Sequence, residues 1–209
     1  MSKQEELWDE NHSRRHSRLM KMGSRVIYAS FAKKIVRCAA SLDKEMTIVD
    51  LGTGPGLLSI HLGRLLPQAR IIGVDLSSGM LQIARENADE AGVSNFETRL
   101  GRAEAMPIES NSTDLVVTQS SLHEWGDPRE GLAEVFRILK PGGRLMLKDY
   151  NRAWLSGWKR RLLGIFHHLG MFKFTFEEVA GLLREVGFDE IEGEGRGLAL
   201  FVRAVKPVP

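Results

Sequence analysis

Three glycines at alternate positions are the first chemically distinctive feature of this 209-residue sequence. They are Gly52, Gly54 and Gly56, and they follow a run of β-branched and apolar residues that contains Asp50. That run predicts a buried strand, and the apolar spacing from Leu57 onward predicts a helix. Glycine has no Cβ, so a ligand can approach the backbone closely at such a turn. The turn is therefore a candidate binding site at the carboxyl end of a strand, where open α/β sheets bind ligands.

A second candidate is Asp75, which ends the apolar run that starts at Arg70. It lies about 20 residues past the glycines, and a carboxylate there can accept hydrogen bonds from both ribose hydroxyls of a nucleoside. The alternative is a cap for the next helix, a role for which Ser77 or Ser78 is better suited.

Two further side chains at strand ends can move or hold protons. His123 follows the fourth predicted strand and can act as a base at neutral pH. The alternative is that His123 and Trp125 only pack the wall of a pocket. Asp149 ends the fifth predicted strand, where it can orient a substrate or a neighbouring base, or cap the following helix.

The elements that must position these side chains alternate between strands and helices. Such alternation predicts a parallel α/β sheet. The predicted strands are 47–51, 70–76, 95–100, 112–119, 144–149, 187–191 and 197–205. Asp127-Pro128 and a capping box of Thr175 with Glu178 predict two helix starts, and Gly92 predicts a helix end.

The glycine turn distinguishes among nucleotide-binding families. The third glycine is one residue too early for the dinucleotide pattern G-x-G-x-x-G, and a phosphate loop ending in Gly-Lys-Ser/Thr is absent. Residues 50–56 instead resemble the D/E-x-G-x-G-x-G signature of class I S-adenosylmethionine-dependent methyltransferases. Residues 137–143 resemble the same family's R-x-L-K-P-G-G turn before the fifth strand. A glycine turn in some other α/β protein is the alternative.

The resemblance covers roughly residues 45–150 and is to the small-molecule, UbiE-like (methyltransferase-11-like) branch. It implies a three-layer, doubly wound, mostly parallel seven-stranded Rossmann-like sheet with an antiparallel last strand. It also implies S-adenosyl-L-methionine as cofactor, S-adenosyl-L-homocysteine as product, and direct in-line methyl transfer. The cofactor-binding residues it implies are Asp50, Gly52, Thr53, Gly54, Gly56, Asp75, Leu76, Met80, Arg102, Ala103 and Gln119. Catalytic candidates are His123 and Asp149, with no metal.

One position departs from the family pattern. Arg102 stands where the family's G-D-A-E-x-L-P-F segment has an acidic residue that commonly meets the adenine amino group. The adenine contact would then fall to the backbone at Arg102 and Ala103.

We expect two parts: an N-terminal helical cap at 1–45 and the methyltransferase domain at 46–209, with a helical insertion at about 151–176. The first N-terminal helix is either a mobile flap over the cofactor or an ordinary solvated helix. The insertion carries Trp154 and Trp158 among basic residues and has no acidic residue before Glu177. Three interpretations of the insertion are open. It covers the active site and favours an anionic or aromatic substrate, or it is a surface helix that contacts a membrane or a partner. The third is a packed helix with a basic outer face.

Composition limits the classes of function. The net charge of +2 and the lack of a basic recognition domain argue against a polyanion-binding protein. Cys38 is the single cysteine, which excludes an internal disulfide and a cysteine-rich metal site. No apolar run reaches membrane-spanning length and the N-terminus is too polar for a signal peptide, so we expect a cytoplasmic protein.

The expected acceptor is a small molecule, with its reacting atom left open. Residues 119–122 read Gln-Ser-Ser-Leu where methyltransferases acting on exocyclic amines of nucleic acids have Asn/Asp-Pro-Pro-aromatic. A base is needed only if the nucleophile arrives protonated. The alternatives are a protein methyltransferase and a cofactor-binding module without catalysis; the oligomeric state is left open.

Overall fold

The computed structural model describes residues 25–40, 42, 45–155 and 170–209. The strands are β1 (Thr47–Leu51), β2 (Arg70–Asp75), β3 (Phe96–Leu100), β4 (Thr113–Gln119), β5 (Leu139–Tyr150), β6 (Asp189–Arg196) and β7 (Ala199–Val205). They form one seven-stranded sheet in the order β3-β2-β1-β4-β5-β7-β6. β1, β2 and β3 pair in parallel, whereas β7 is antiparallel to both β5 and β6. The predicted seven-stranded sheet with an antiparallel last strand is confirmed.

The helices of the described residues are α1 (Arg25–Ala39), α2 (Leu57–Leu65), α3 (Ser78–Ala91), α4 (Pro128–Ile138) and α5 (Phe176–Val186). Short 3-10 helices lie at Leu122–Glu124 and Arg152–Leu155. The chain divides into two compact units: unit 1 is 1–102 with 113–115, and unit 2 is 103–112 with 116–209.

Unit 1 is built on the buried strands β1 and β2. Ile48, Val49 and Ile71 are almost fully buried, as expected for parallel strands of β-branched residues. The register places Asp50 beside Gly73. Of the two predicted caps, Ser77 and Ser78, Ser77 caps the helix, since its Oγ accepts a hydrogen bond from the Met80 amide at 3.2 Å.

Unit 2 confirms the two other predicted helix starts. The Asp127 side chain accepts hydrogen bonds from the amides of Arg129 and Glu130 at the start of α4. Thr175 and Glu178 form the predicted capping box at the start of α5. These caps satisfy amides that have no partner within a helix.

The segment predicted as a turn before the fifth strand is part of that strand. α4 ends at Ile138 and β5 begins at Leu139, so residues 140–143 lie within β5. The Gly142 amide donates to the Lys206 carbonyl at 2.8 Å, and the Lys206 amide donates to the Gly143 carbonyl at 2.9 Å. This backbone pairing with the segment after β7 places the glycines within β5, although Gly142 has a φ of +78° rather than an extended one.

The sixth strand runs from 189 to 196 rather than from 187 to 191. Its side chains are almost all exposed, so apolar alternation could not mark its length. Its backbone pairing with β7 defines it instead.

Two segments on either side of residues 156–169 are joined to each other, and we call this contact the clamp. Asn151 bridges to Phe174, and the Arg152 amide donates to the Phe174 carbonyl at 2.9 Å. The Arg152 guanidinium donates to the Lys173 carbonyl at 2.9 Å and forms an ion pair with Glu178. Of the helical insertion predicted at about 151–176, residues 156–169, with Trp158, lie outside the described residues, as does the first N-terminal helix.

No helix among the described residues has the length and hydropathy needed to cross a membrane. The predicted division at residue 45 stays a prediction. In the structure, α1 contributes Phe31, Ala32 and Ile35 to the buried core.

Candidate functional site

The glycine turn of unit 1 follows β1 directly. All three glycines have positive φ, which reaches +76° at Gly56. The amides of Gly52 and Thr53 donate to the Val74 carbonyl at 2.8 and 3.1 Å, which holds the turn against the end of β2. The turn thus depends on a backbone conformation that side-chain-bearing residues rarely adopt.

Asp50 lies beneath the turn and is only 2% exposed. Its Oδ2 accepts hydrogen bonds from Ser59 Oγ at 2.7 Å and from Thr53 Oγ1 at 2.9 Å. Burial raises the pKa of this carboxyl to about 6, although the hydrogen bonds from Ser59 and Thr53 act in the opposite direction. The carboxylate therefore ties the turn to the first residues of α2 from inside the unit.

Asp75, at the end of β2, is hydrogen-bonded to the glycine turn. Its Oδ2 accepts from the Gly54 amide at 2.8 Å, and its Oδ1 accepts from the Ser77 amide at 2.9 Å. The residue is only partly exposed, and loss of solvation raises the pKa of its carboxyl. The Leu76 amide is a third backbone donor to this carboxylate. A carboxylate has about four acceptor positions, so this one can still accept a hydrogen bond from a ligand hydroxyl.

A side chain would have space at Gly54 but not at Gly56. A Cβ built on Gly54 would meet nothing within 4 Å. A Cβ on Gly56 would lie 3.0 Å from the Ala84 Cβ on α3. The Asn87 side chain donates to the Pro55 carbonyl at 2.8 Å and fixes the turn on the same helix. The space beside Gly54, next to the Asp75 carboxylate, is therefore open.

The other predicted cofactor residues differ in exposure. Leu76 is partly exposed and Met80 is buried. Arg102 is exposed, whereas Ala103 is 8% exposed.

In unit 2, His123 and Asp149 are in direct contact. His123 Nδ1 lies 2.8 Å from Asp149 Oδ1, and the His123 amide donates to Asp149 Oδ2 at 3.1 Å. Asp149 Oδ1 also accepts from the Tyr150 amide at 2.7 Å. Both side chains are buried, at 6% and 4% exposure. The two catalytic candidates, 26 positions apart in sequence, thus form one pair.

An aromatic row extends from this pair. The ring of Tyr150 lies edge-on to His123, with centroids 5.4 Å apart. Tyr150 is also 5.4 Å from Phe172, and Phe172 stacks on Trp154 at 6.4 Å with an interplanar angle of 19°. The sequence assigned no role to Tyr150 or Phe172. The available signal was weak, since Tyr150 ends a strand beside Asp149 and Phe172 alternates with Phe174.

The end of β4 has two unusual features. Gln119 is 7% exposed, and its Oε1 has no hydrogen-bond partner among the residues that the structure describes. Ser120 adopts a φ of +56°, a conformation that is costly for residues other than glycine. The Trp125 indole donates to Ser121 Oγ at 2.9 Å. Buried unpaired oxygens and strained backbone are both enriched at functional sites, so this strand end belongs with the candidate site.

Comparison with known proteins gives a family match over most of the sequence. Residues 42–179 match a family model described as a methyltransferase domain. An Escherichia coli protein named YafE is 42% identical over 79 residues, which are 38% of each chain. The demethylmenaquinone methyltransferase of Listeria welshimeri is 31% identical over 129 residues, which are 61% of this chain and 55% of that protein. The matches to these two relatives thus span about half of their length or less.

Solved structures share the fold. A structure from Methanococcus maripaludis, assigned to the S-adenosyl-L-methionine-dependent methyltransferases, superposes with a TM-score of 0.81. It is 25% identical, and the match covers 100% of this chain and 98% of the other. Phosphoethanolamine N-methyltransferase 2 of Haemonchus contortus, solved with S-adenosyl-L-methionine, has a TM-score of 0.79 at 16% identity. That match covers 99% of this chain and 60% of the other, and it concerns the fold alone.

Proposed function

Because the chain belongs to the methyltransferase domain family, we propose that it transfers the methyl group of S-adenosyl-L-methionine to a small-molecule acceptor. The observation that carries the proposal is the contact between the Asp75 carboxylate and the Gly54 amide beside open space. The Asp75 carboxylate is a hydrogen-bond acceptor with capacity beyond its three backbone donors, which suits a ribose hydroxyl of the cofactor.

The predicted cofactor residues take different roles in this proposal. Asp75 and the backbone at Gly54 contact the cofactor. Asp50 acts through the turn, because its buried carboxylate bonds to Thr53 and Ser59. The remaining proposed contacts are Gly52, Thr53, Gly56, Leu76, Met80, Arg102, Ala103 and Gln119.

The bound cofactor supplies a methyl group on a positively charged sulfur, which is a good leaving group. The main contribution of the protein is then to hold an acceptor in line with the methyl–sulfur bond. A small acceptor is supported by the likeness to the demethylmenaquinone methyltransferase and by the lack of an Asn/Asp-Pro-Pro-aromatic motif at residues 119–122.

The glycine at position 54 allows a test with a matched control. Gly54→Ala and Gly92→Ala both place a methyl group at positive φ, +51° and +65°, with nothing within 4 Å. Each substitution should therefore destabilise the protein by a similar amount, about 1–2 kcal/mol. Only Gly54→Ala should reduce the affinity for S-adenosylhomocysteine, by about tenfold, because its methyl group enters the proposed cofactor space. Isothermal titration measures this difference.

Equal affinity in the two variants would contradict a cofactor beside Gly54. The absence of binding heat with the folded wild-type protein would contradict the proposed function itself. A screen of cell extract with methyl-labelled cofactor addresses the acceptor. Label in a macromolecule would favour a protein methyltransferase, and binding without any labelled product would favour a module without catalysis.

A further inference from the structure

We propose that Asn87 is a positioning residue for cofactor binding, because its side-chain amide holds the glycine turn in the binding conformation before the cofactor arrives. The inference deepens the proposed methyl transfer and rests on it. It concerns unit 1 alone, since Asn87, the turn and Asp75 all lie there. Asn87 does not contact the cofactor in this proposal and acts through the backbone of Pro55.

Asn87 is a polar residue on the buried face of α3. It is only 7% exposed, and Ala84 and Ala88 are buried on the same face. An amide that is removed from water costs free energy unless it is hydrogen-bonded, whereas an apolar side chain would fill the same space without that cost. The hydrogen bond from Asn87 Nδ2 to the Pro55 carbonyl at 2.8 Å offsets the cost. The polar residue at this position thus serves the turn rather than the packing of the helix.

The bonded carbonyl lies at the centre of the turn. Pro55 stands between Gly54 and Gly56, which have φ of +51° and +76°. Glycine reaches positive and negative φ at little cost, so a turn rich in glycine can adopt several conformations. Pro55 has no amide hydrogen, so its carbonyl is the backbone group through which a hydrogen bond can hold it. The bond from Asn87 therefore limits the conformations of the turn where glycine leaves most freedom.

The conformation that Asn87 holds is the one that brings the turn to Asp75. Pro55 follows Gly54 directly, and the Gly54 amide donates to Asp75 Oδ2 at 2.8 Å. Because the two residues share a peptide bond, a change in the backbone at Pro55 also changes the direction of the backbone at Gly54. Asn87 therefore helps to keep the Gly54 amide on the Asp75 carboxylate, beside the open space.

A second contact with α3 supports the same conformation. A Cβ built on Gly56 would lie 3.0 Å from the Ala84 Cβ, so the turn and the helix approach each other closely. Ala84 precedes Asn87 by three residues, and residues at that spacing are neighbours on one face of a helix. One face of α3 thus provides both a close apolar contact and a hydrogen bond, which together distinguish one turn conformation from others.

Holding the turn in advance raises the affinity, because a ligand that must itself order a loop loses that free energy from its binding. With an apolar side chain at position 87, the buried Pro55 carbonyl would lose this donor. The turn would then also adopt conformations in which the carbonyl reaches water. The cofactor would bind only the fraction in the original conformation, so we expect the affinity to fall by about tenfold.

The first test makes the same substitution at two asparagines of unit 1. Asn87→Leu keeps the branched shape of the side chain and removes the donor. Asn95→Leu is the matched control, because Asn95 Nδ2 donates to the carbonyls of Leu66 and Ala69 at 3.0 and 2.8 Å, at the end of β3 opposite to Asp75. Isothermal titration with S-adenosylhomocysteine should show about tenfold weaker binding for Asn87→Leu and wild-type affinity for Asn95→Leu.

The outcomes of this titration are distinct. Wild-type affinity in a folded Asn87→Leu protein would mean that the hydrogen bond does not affect binding. An equal loss of affinity in Asn95→Leu would mean that it acts only through general stability. Either result would overturn the inference. Failure of the wild-type protein to bind S-adenosylhomocysteine would instead count against the proposed function.

Asn87→Asp has a readout that a residue which only fills space would not affect, and it serves also if Asn87→Leu does not fold. The introduced carboxyl has nearly the size of the amide, but it can donate to the Pro55 carbonyl only when protonated. Its ionisation is followed by carbon-13 NMR of labelled aspartate. The affinity for S-adenosylhomocysteine, relative to the wild type at the same pH, should rise as this carboxyl takes up its proton.

Asp50 and Asp75 titrate in both proteins, so the comparison at the same pH removes their contribution. An affinity ratio that is the same for the ionised and the protonated form of Asn87→Asp would overturn the role of the hydrogen bond.

Hydrogen exchange tests the order of the free turn itself. In the absence of ligand, the Gly54 amide should exchange about fivefold faster in Asn87→Leu than in the wild type, because the turn opens more often. S-adenosylhomocysteine should restore slow exchange in the variant. Equal exchange in the two free proteins would show that the turn keeps its conformation without Asn87, and the inference would be wrong.

Discussion

Replacing Asp75 with alanine should weaken the binding of S-adenosylhomocysteine by about 1–3 kcal/mol, or about 5- to 150-fold in Kd. The substitution removes the proposed acceptor for the ribose hydroxyls. It also frees the amides of Gly54 and Ser77, which now donate to the carboxylate at 2.8 and 2.9 Å. Isothermal titration with the wild-type and variant proteins measures the loss.

Two further variants make this result specific. Asp89→Ala removes an exposed carboxylate from α3 and should leave the affinity unchanged. Asp75→Asn keeps the size of the side chain but replaces one acceptor oxygen with a donor, so its affinity should fall between those of the wild type and Asp75→Ala. If Asp75→Ala stays folded by circular dichroism and binds as tightly as Asp89→Ala, the ribose role of Asp75 is wrong.

The second large effect is on stability, and it comes from Asp50. Its pKa is about 6 in the folded protein and 3.8 as the ordinary value, because the carboxyl is buried. A pKa raised by folding means that the folded state binds the proton more tightly. The stabilisation is therefore fully present below pH 3.8 and is lost as pH rises through about 6. A shift of about two pKa units corresponds to about 3 kcal/mol in the free energy of unfolding.

The comparison with Asp50→Asn isolates this contribution. Urea unfolding at constant ionic strength gives the free energy of unfolding of both proteins at pH 4, 5, 6 and 7. The free energy of unfolding of the wild type minus that of the variant should fall by about 2.5 kcal/mol from pH 4 to pH 7, because asparagine does not titrate. A flat difference for Asp50→Asn would mean that the carboxyl ionises in the folded protein as easily as in the unfolded chain.

Local signals in the sequence were sufficient to predict the glycine turn and the starts of the helices. Ser77 and Thr175 act through amides within three residues, so their capping roles could be predicted from neighbouring positions alone. The spacing of the glycines likewise predicted a turn after a buried strand. The bonds of Asp50 to Thr53 and Ser59 were harder to predict, because they depend on which way the Asp50 side chain points in β1.

Contacts between distant segments could not be read from the sequence. His123 and Asp149 were each a candidate, but only the structure places them 2.8 Å apart. The strand of residues 189–196 was underestimated because its side chains are exposed and its pairing is entirely backbone. Residues 140–143 were misassigned to a turn because proline and glycine usually mark one, whereas here the backbone at Gly142 and Gly143 pairs with Lys206.

The clamp affects which parts of the sequence can change during evolution. The contacts that close it are made by Asn151 and Arg152 on one side and by residues 173–178 on the other. Selection can therefore rewrite residues 156–169, or change their number, without altering those contacts. Doubling the length of a closed segment costs only about 0.6 kcal/mol in closure entropy. Recombination that exchanges this stretch would therefore leave the clamp in place.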